Sequence, residues 1–149
     1  LMNQIRIKDV SFEKGRVVIN SDLKAAYEPE VGVERFTRRF AFSAPGDFVI
    51  EDEIKMMRPS KITSFVHSDT SIIERDGHFV VEPGITNLLL EIEESGRFES
   101  VIEKNILTAP GRPGSVDKGE REERGVRLVI STRQPERAIS YNMRLRIMP

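Results

Sequence analysis

Apolar and polar side chains alternate one for one along the end of this chain: Ile139, Tyr141, Met143, Leu145 and Ile147 point one way, and Ser140, Asn142, Arg144 and Arg146 the other. A period of two belongs to a strand with one buried face, whereas a helix would space its apolar residues three and four apart. The same pattern predicts strands near Ile5–Phe12, Gly15–Asn20, Arg35–Phe42, Phe48–Lys55, Lys61–His67, Ser71–Glu74, His78–Val81, Asn87–Ile92, Arg97–Glu103 and Val126–Ser131. Turn residues separate them, as in Glu13-Lys14-Gly15, Pro45-Gly46-Asp47, Arg58-Pro59-Ser60, Arg75-Asp76-Gly77, Glu82-Pro83-Gly84 and Glu94-Ser95-Gly96. About ten or more strands spaced by roughly 8–12 residues predict an all-β fold: a two-layer antiparallel β-sandwich in a single domain spanning residues 1–149. Asn105 to Arg124 is rich in Gly, Pro and charge without alternation, and reads as a long loop of the kind that is functional or disordered.

Composition removes several classes of function. The 23 Lys and Arg against 24 Asp and Glu leave a net charge of -1, so no global basic field gathers nucleic acid. No apolar run approaches the roughly 18 residues of a membrane helix. The absence of cysteine excludes disulfides, thiolate metal sites and cysteine redox chemistry. The chain opens on Leu with no signal-peptide pattern, and is read as a piece of a longer protein.

The stretch Arg38-Arg39-Phe40-Ala41-Phe42-Ser43-Ala44-Pro45-Gly46-Asp47-Phe48-Val49-Ile50-Glu51-Asp52 combines an Arg, alternating apolar residues, a Pro-containing turn, large apolar residues and an Asp. It resembles paired strands of heparinase II/III-like polysaccharide lyases. Lys61-Ile62-Thr63-Ser64-Phe65-Val66-His67-Ser68 is similar to the family's next strand, which closes on His-Ser, and Asp22-Leu23-Lys24-Ala25-Ala26-Tyr27 to a piece that precedes these strands. The resemblance is specific from about Asp22 to Ser68 and elsewhere is one of pattern. It implies a C-terminal β-sandwich that follows a helical toroid carrying the catalytic Tyr and His. Together they cleave uronic-acid polysaccharide of the heparin or heparan sulfate type by β-elimination. It also implies a bacterial protein, periplasmic or secreted. Some members hold a zinc ion in the sandwich with two His and one Asp; Asp52 and the later His67 match by motif, while the first His has no counterpart here.

The residues themselves leave Asp52 open to two readings. Phe48, Ile50, Asp52 and Ile54 share a face, so the carboxylate lies on the apolar side and needs neutralising. His67, at the same parity as Phe65, is one candidate for sharing a zinc ion with it. In the other reading Asp52 pairs with Arg38 or accepts turn N–H bonds, and His67 is a half-buried rim residue. His78, following Asp76-Gly77 at a turn, reads as solvated. Arg38 shares a face with Phe36, Phe40 and Phe42, and reads as a structural, snorkelling Arg that pairs with a carboxylate.

Basic clusters at Arg35/Arg39, Arg58/Lys61 and Arg112/Lys118/Arg121/Arg124 are candidates for touching an acidic sugar, because Arg forks match carboxylate and sulfate. Arg112, Lys118, Arg121 and Arg124 are the substrate-contact candidates. Glu34, Glu53, Asp117, Glu120, Glu122 and Glu123 dilute these clusters into a mixed-charge surface. There is no Trp and there are only two Tyr, of which Tyr27 is the exposed aromatic candidate. Two His, no Cys, no phosphate loop and no recognisable acid pair leave little for catalysis. The leading expectation is therefore the non-catalytic sandwich of a heparinase II/III-like enzyme, packed on its toroid and walling the substrate cleft, with the Asn105–Arg124 loop as a contact. The alternative is a stand-alone glycan- or protein-binding sandwich without enzymatic activity. An intact small lyase is the third reading.

Overall fold

A computed structural model of the chain describes residues 6–82, 86–93, 95–109 and 123–148. Its eleven strands are β1 Arg6–Glu13, β2 Arg16–Asp22, β3 Val33–Ser43, β4 Asp47–Ser60, β5 Thr63–Ser68, β6 Ser71–Arg75, β7 His78–Glu82, β8 Leu88–Ile92, β9 Phe98–Ala109, β10 Glu123–Thr132 and β11 Glu136–Ile147. They form an antiparallel eight-stranded sheet, β1-β2-β3-β4-β11-β8-β7-β6, and a three-stranded sheet, β5-β10-β9. The architecture is the all-β sandwich that the alternation predicts. No helix among the described residues is long and apolar enough to cross a membrane.

The turns follow from local chemistry. Asp76 and Gly77 both adopt positive φ (52° and 77°), as a two-residue hairpin between β6 and β7 requires. At the β3–β4 turn Gly46 has φ 100°, and a Cβ there would come within 2.4 Å of Ile147 Cδ1. Only glycine fits that approach, and the Ile147 amide donates to the Gly46 carbonyl at 3.2 Å.

Two boundaries differ from the sequence reading. Arg58-Pro59-Ser60 is the end of β4 rather than a turn, with Ser60 opposite Glu136. A register shift between Glu136 and Ala138 accommodates the proline, which has no ladder N–H to offer. The predicted loop at 105–124 begins and ends as strand, since β9 runs to Ala109 and pairs with β10 from Glu123. Asn105 at φ 59° and two register shifts bulge this pair, which breaks the alternation that would have revealed it. The remainder of that stretch, 110–122, lies outside the described residues.

The core lies between the layers. Val126, Leu128 and Ile130 of β10 face Phe36, Ile54, Met56, Ile139, Met143, Leu90, Val81 and Ile72 of the large sheet. Leu128 and Leu90 are fully buried, and each such side chain contributes roughly 1.5–3 kcal/mol. Three strands cannot cover eight. The β1–β2 ribbon lies outside this core, and Ile7, Val10 and Phe12 are 65%, 46% and 77% exposed.

Candidate functional site

Arg38, Asp52 and Tyr141 stand directly opposite one another on β3, β4 and β11, and all three point into the sandwich. The register alone therefore places a cation, a carboxylate and a phenol in one row. Arg38 forks onto Asp52, with Nε donating to Oδ1 and Nη2 to Oδ2, both at 2.6 Å. The Tyr141 hydroxyl donates to Asp52 Oδ2 at 2.9 Å and in turn bonds Ser64 on β5. Ser21 on β2 extends the row, its hydroxyl donating to the Arg38 carbonyl at 3.0 Å.

This row ties the two layers together. The Asp52 side chain is fully buried and that of Arg38 is 25% exposed. The Arg38 guanidinium lies 5.5 Å from the Phe36 ring centre and 5.9 Å from that of Phe40, so aromatic faces replace water around it. The Asp52 hydrogen bond raises the Arg38 pKa further above its ordinary value. Burial, reinforced by the Asp52 charge, pushes the Tyr141 phenol well above the usual tyrosine range. Tyr141 therefore stays protonated, and a hydrogen-bond donor, into the alkaline range, and both Asp52 oxygens are engaged as acceptors. Among the described residues no buried side-chain polar atom lacks a partner. The row cross-links the fold, joining β3, β4 and β11 of one layer to β5 of the other.

The donor set does not fit zinc. A metal ion at Asp52 would have to displace the Arg38 fork, and His67 faces the other way. On β5 it is Ser64 and Val66 that turn inward, while Phe65 is 51% exposed and His67 exposed beside it, with ring centres 6.3 Å apart. The parity of β5 is thus the reverse of the one expected. Both of its faces carry an apolar residue, so alternation could not choose between Phe65 and Val66; the Ser64–Tyr141 bond marks the inner one. His78 is on β7, its Nδ1 4.0 Å from Glu91. No group of three or more His, Cys, Asp or Glu among the described residues is placed to hold a metal ion.

Of the substrate-contact candidates, Arg112, Lys118 and Arg121 lie outside the described residues. The backbone of Arg124 belongs to β10, opposite Leu107. The other basic residues are largely matched by acids. Arg35 meets Glu53 at 2.8 Å, Arg39 meets Glu51, and Lys61 meets Glu99 at 2.6 Å. Sequence reasoning missed Tyr141 and Ser64 as members of the row. The available signal was a phenol at inward parity between Ile139 and Met143, where its hydroxyl requires a partner.

Fold and site together define a two-layer antiparallel sandwich whose layers are pinned by a buried ionic row. No protein-family model matches the chain, and no curated protein matches it. Solved structures do share the fold. The heparan sulfate lyase HepC from Pedobacter heparinus superposes with a TM-score of 0.71 at 10% identity, over 97% of this chain and 22% of that one. A heparinase III, the BT4657 gene product, gives 0.73 at 13% identity over 97% and 22%; its form with methylated lysines gives 0.69 at 15% over 97% and 21%. The structural neighbours are thus a heparan sulfate lyase and a heparinase III, of the kind that the Arg38–Ser68 strands resemble, and at these identities the likeness is one of fold. The chain spans 22% of the length of the first two.

Proposed function

We propose that this chain is the non-catalytic C-terminal β-sandwich of a bacterial polysaccharide lyase, periplasmic or secreted. In this reading it packs on a helical toroid and walls a cleft for an acidic, uronic-acid-containing polysaccharide of the heparan sulfate class. The observation that carries the proposal is a fold shared over 97% of this chain with lyases of which it spans only 22%. The Arg38–Asp52–Tyr141 row supports the non-catalytic part, because its acid, phenol and guanidinium are engaged with one another.

The uncovered wing of the large sheet favours packing on a further domain over a stand-alone binding module. Phe12 and Phe42 lie in one row of the inner face with Val17, Phe48 and Leu145, and are 77% and 47% exposed. Ile147, at the same parity on β11, is 51% exposed. A contiguous apolar surface of this kind marks an interface. The test is incubation of the 149-residue chain, and of a longer polypeptide that includes it, with heparan sulfate, heparin and alginate while following unsaturated uronate absorbance. Activity confined to the longer polypeptide is expected. Turnover by the 149 residues alone would overturn the non-catalytic assignment, and no turnover by either would overturn the lyase assignment.

A further inference from the structure

Among the described residues the two sheets have four edges, and three of them carry the features that keep edges from pairing with other chains. β1 has Arg6, Lys8 and Asp9 and a register shift between Ile7 and Asp9. β6 is five residues long and ends in Glu74-Arg75. β9 has Glu99, Glu103 and Lys104 and is bulged in its pairing with β10. Charges, bulges and shortness are the usual means of blunting an edge. β5 has none of the first two: Thr63-Ser64-Phe65-Val66-His67-Ser68 contains no Lys, Arg, Asp, Glu or Pro, and pairs with β10 over six residues without a shift. Among the described residues β5 pairs on one side only.

A half-open cavity of about 670 Å³ lies beside this edge, between the layers, where the large sheet continues outward and the small sheet stops. Phe36, Phe48, Ile50, Met143 and Leu145 form its floor, and Val66 its wall. The two permanently charged residues that line it, Arg38 and Lys61, are held by Asp52 and Glu99, so the cavity offers no free cation to select a small anion. An occupant that satisfies both features must bring backbone hydrogen bonds to β5 and apolar side chains to the floor. An extended strand does both at once, since its alternate side chains all face one way.

We propose that the β5 edge receives an extended segment from elsewhere in the same polypeptide, which forms a fourth strand of the small sheet and lays apolar residues from alternate positions into the cavity. The source of the segment rests on the reading of this chain as one domain of a longer lyase. The chemistry of the acceptor edge does not.

Two measurements test this. In the first, the isotope-labelled 149-residue chain is titrated with the peptide acetyl-Lys-Thr-Val-Thr-Val-Thr-Val-Lys-amide and with two analogues N-methylated at alternate positions along one edge or the other. Resonance shifts and slowed amide exchange are expected at Thr63–Ser68. One analogue should bind about tenfold more weakly or worse, because it loses several backbone hydrogen bonds, while the other stays within about twofold. Absence of shifts at β5, shifts at β1 instead, or equal binding of the two analogues would overturn the acceptor edge. In the second, the Thr63–Ser68 amides are expected to exchange at least about tenfold more slowly in the longer polypeptide than in the 149-residue chain, as for amides that gain a strand partner. Equal exchange would overturn an internal strand as occupant. Lyase activity measured on the same preparation separates the two ideas: an inactive polypeptide with protected β5 amides counts against the proposed function and leaves the fourth strand standing.

Discussion

Tyr141, Asp52, Arg38, Ser21 and Ile7 form one row across five strands of the large sheet, yet its two ends live in different environments. Tyr141 and Asp52 are 3% and 1% exposed, while Ile7 is 65% exposed. Every residue of the row points to the same face, so strand pattern does not account for the difference. The width of the cover does: water is excluded from the middle strands and from Ser21 on β2, which is 5% exposed, and reaches this face at β1. An ionic row therefore sits in the dry half and bare aliphatic and aromatic side chains in the wet half, the inverse of what residue type alone would place there.

Breaking the dry half should have the largest effect. Arg38→Ala leaves the Asp52 carboxylate buried without its cation and is expected to cost about 3–5 kcal/mol in urea unfolding. The pair Arg38→Met with Asp52→Leu should recover most of that loss, because an apolar replacement of the whole bridge leaves no stranded charge. A single variant as stable as the parent would mean that the row is not sealed.

Tyr141→Phe comes next, with an expected loss of about 1–2 kcal/mol from the missing hydroxyl. This variant also carries a pH signature. The folded Tyr141 pKa is raised above its ordinary value of 10.0, so the stability tied to its neutral form is fully present below about pH 10. It declines as pH rises beyond that, because the unfolded chain releases the proton first. Alkaline titration of stability should show this decline in the parent and lose it in Tyr141→Phe; identical alkaline profiles would refute the burial of the phenol.

The smallest effect belongs to the wet half. Phe12→Ser is expected to change stability by no more than about 0.5 kcal/mol while lowering the binding of a dye that reports exposed apolar surface. A loss comparable to that of Arg38→Ala would show that the β1–β2 wing is covered in solution, and would erase the contrast between the halves.

Much of this molecule was legible in its residues. Most of the described strands follow an alternating run, because a strand with one buried face writes its period of two directly into the chain, whereas β7 and β8 carry the consecutive apolar residues Phe79-Val80-Val81 and Leu88-Leu89-Leu90. The reading failed where that period is interrupted or ambiguous. Asn105 and the bulges of β9 and β10 hid the strand pairing at the ends of the supposed loop. Phe65 and Val66 made both faces of β5 look buried, and so turned His67 toward Asp52 on paper and away from it in the fold.

Local pattern and turn chemistry by themselves determined that the chain is all-β, where most of its strands lie, and that Asp52 and Arg38 point inward, since each depends only on neighbours in sequence. Which strands stand side by side, which half of the large sheet is dry, and that Tyr141 and Ser64 complete the row were decided by tertiary structure. Ser64 and Tyr141, like Asp52 and Tyr141, are far apart in the chain, and only the stacking of the layers brings their hydroxyls and the carboxylate within hydrogen-bonding reach.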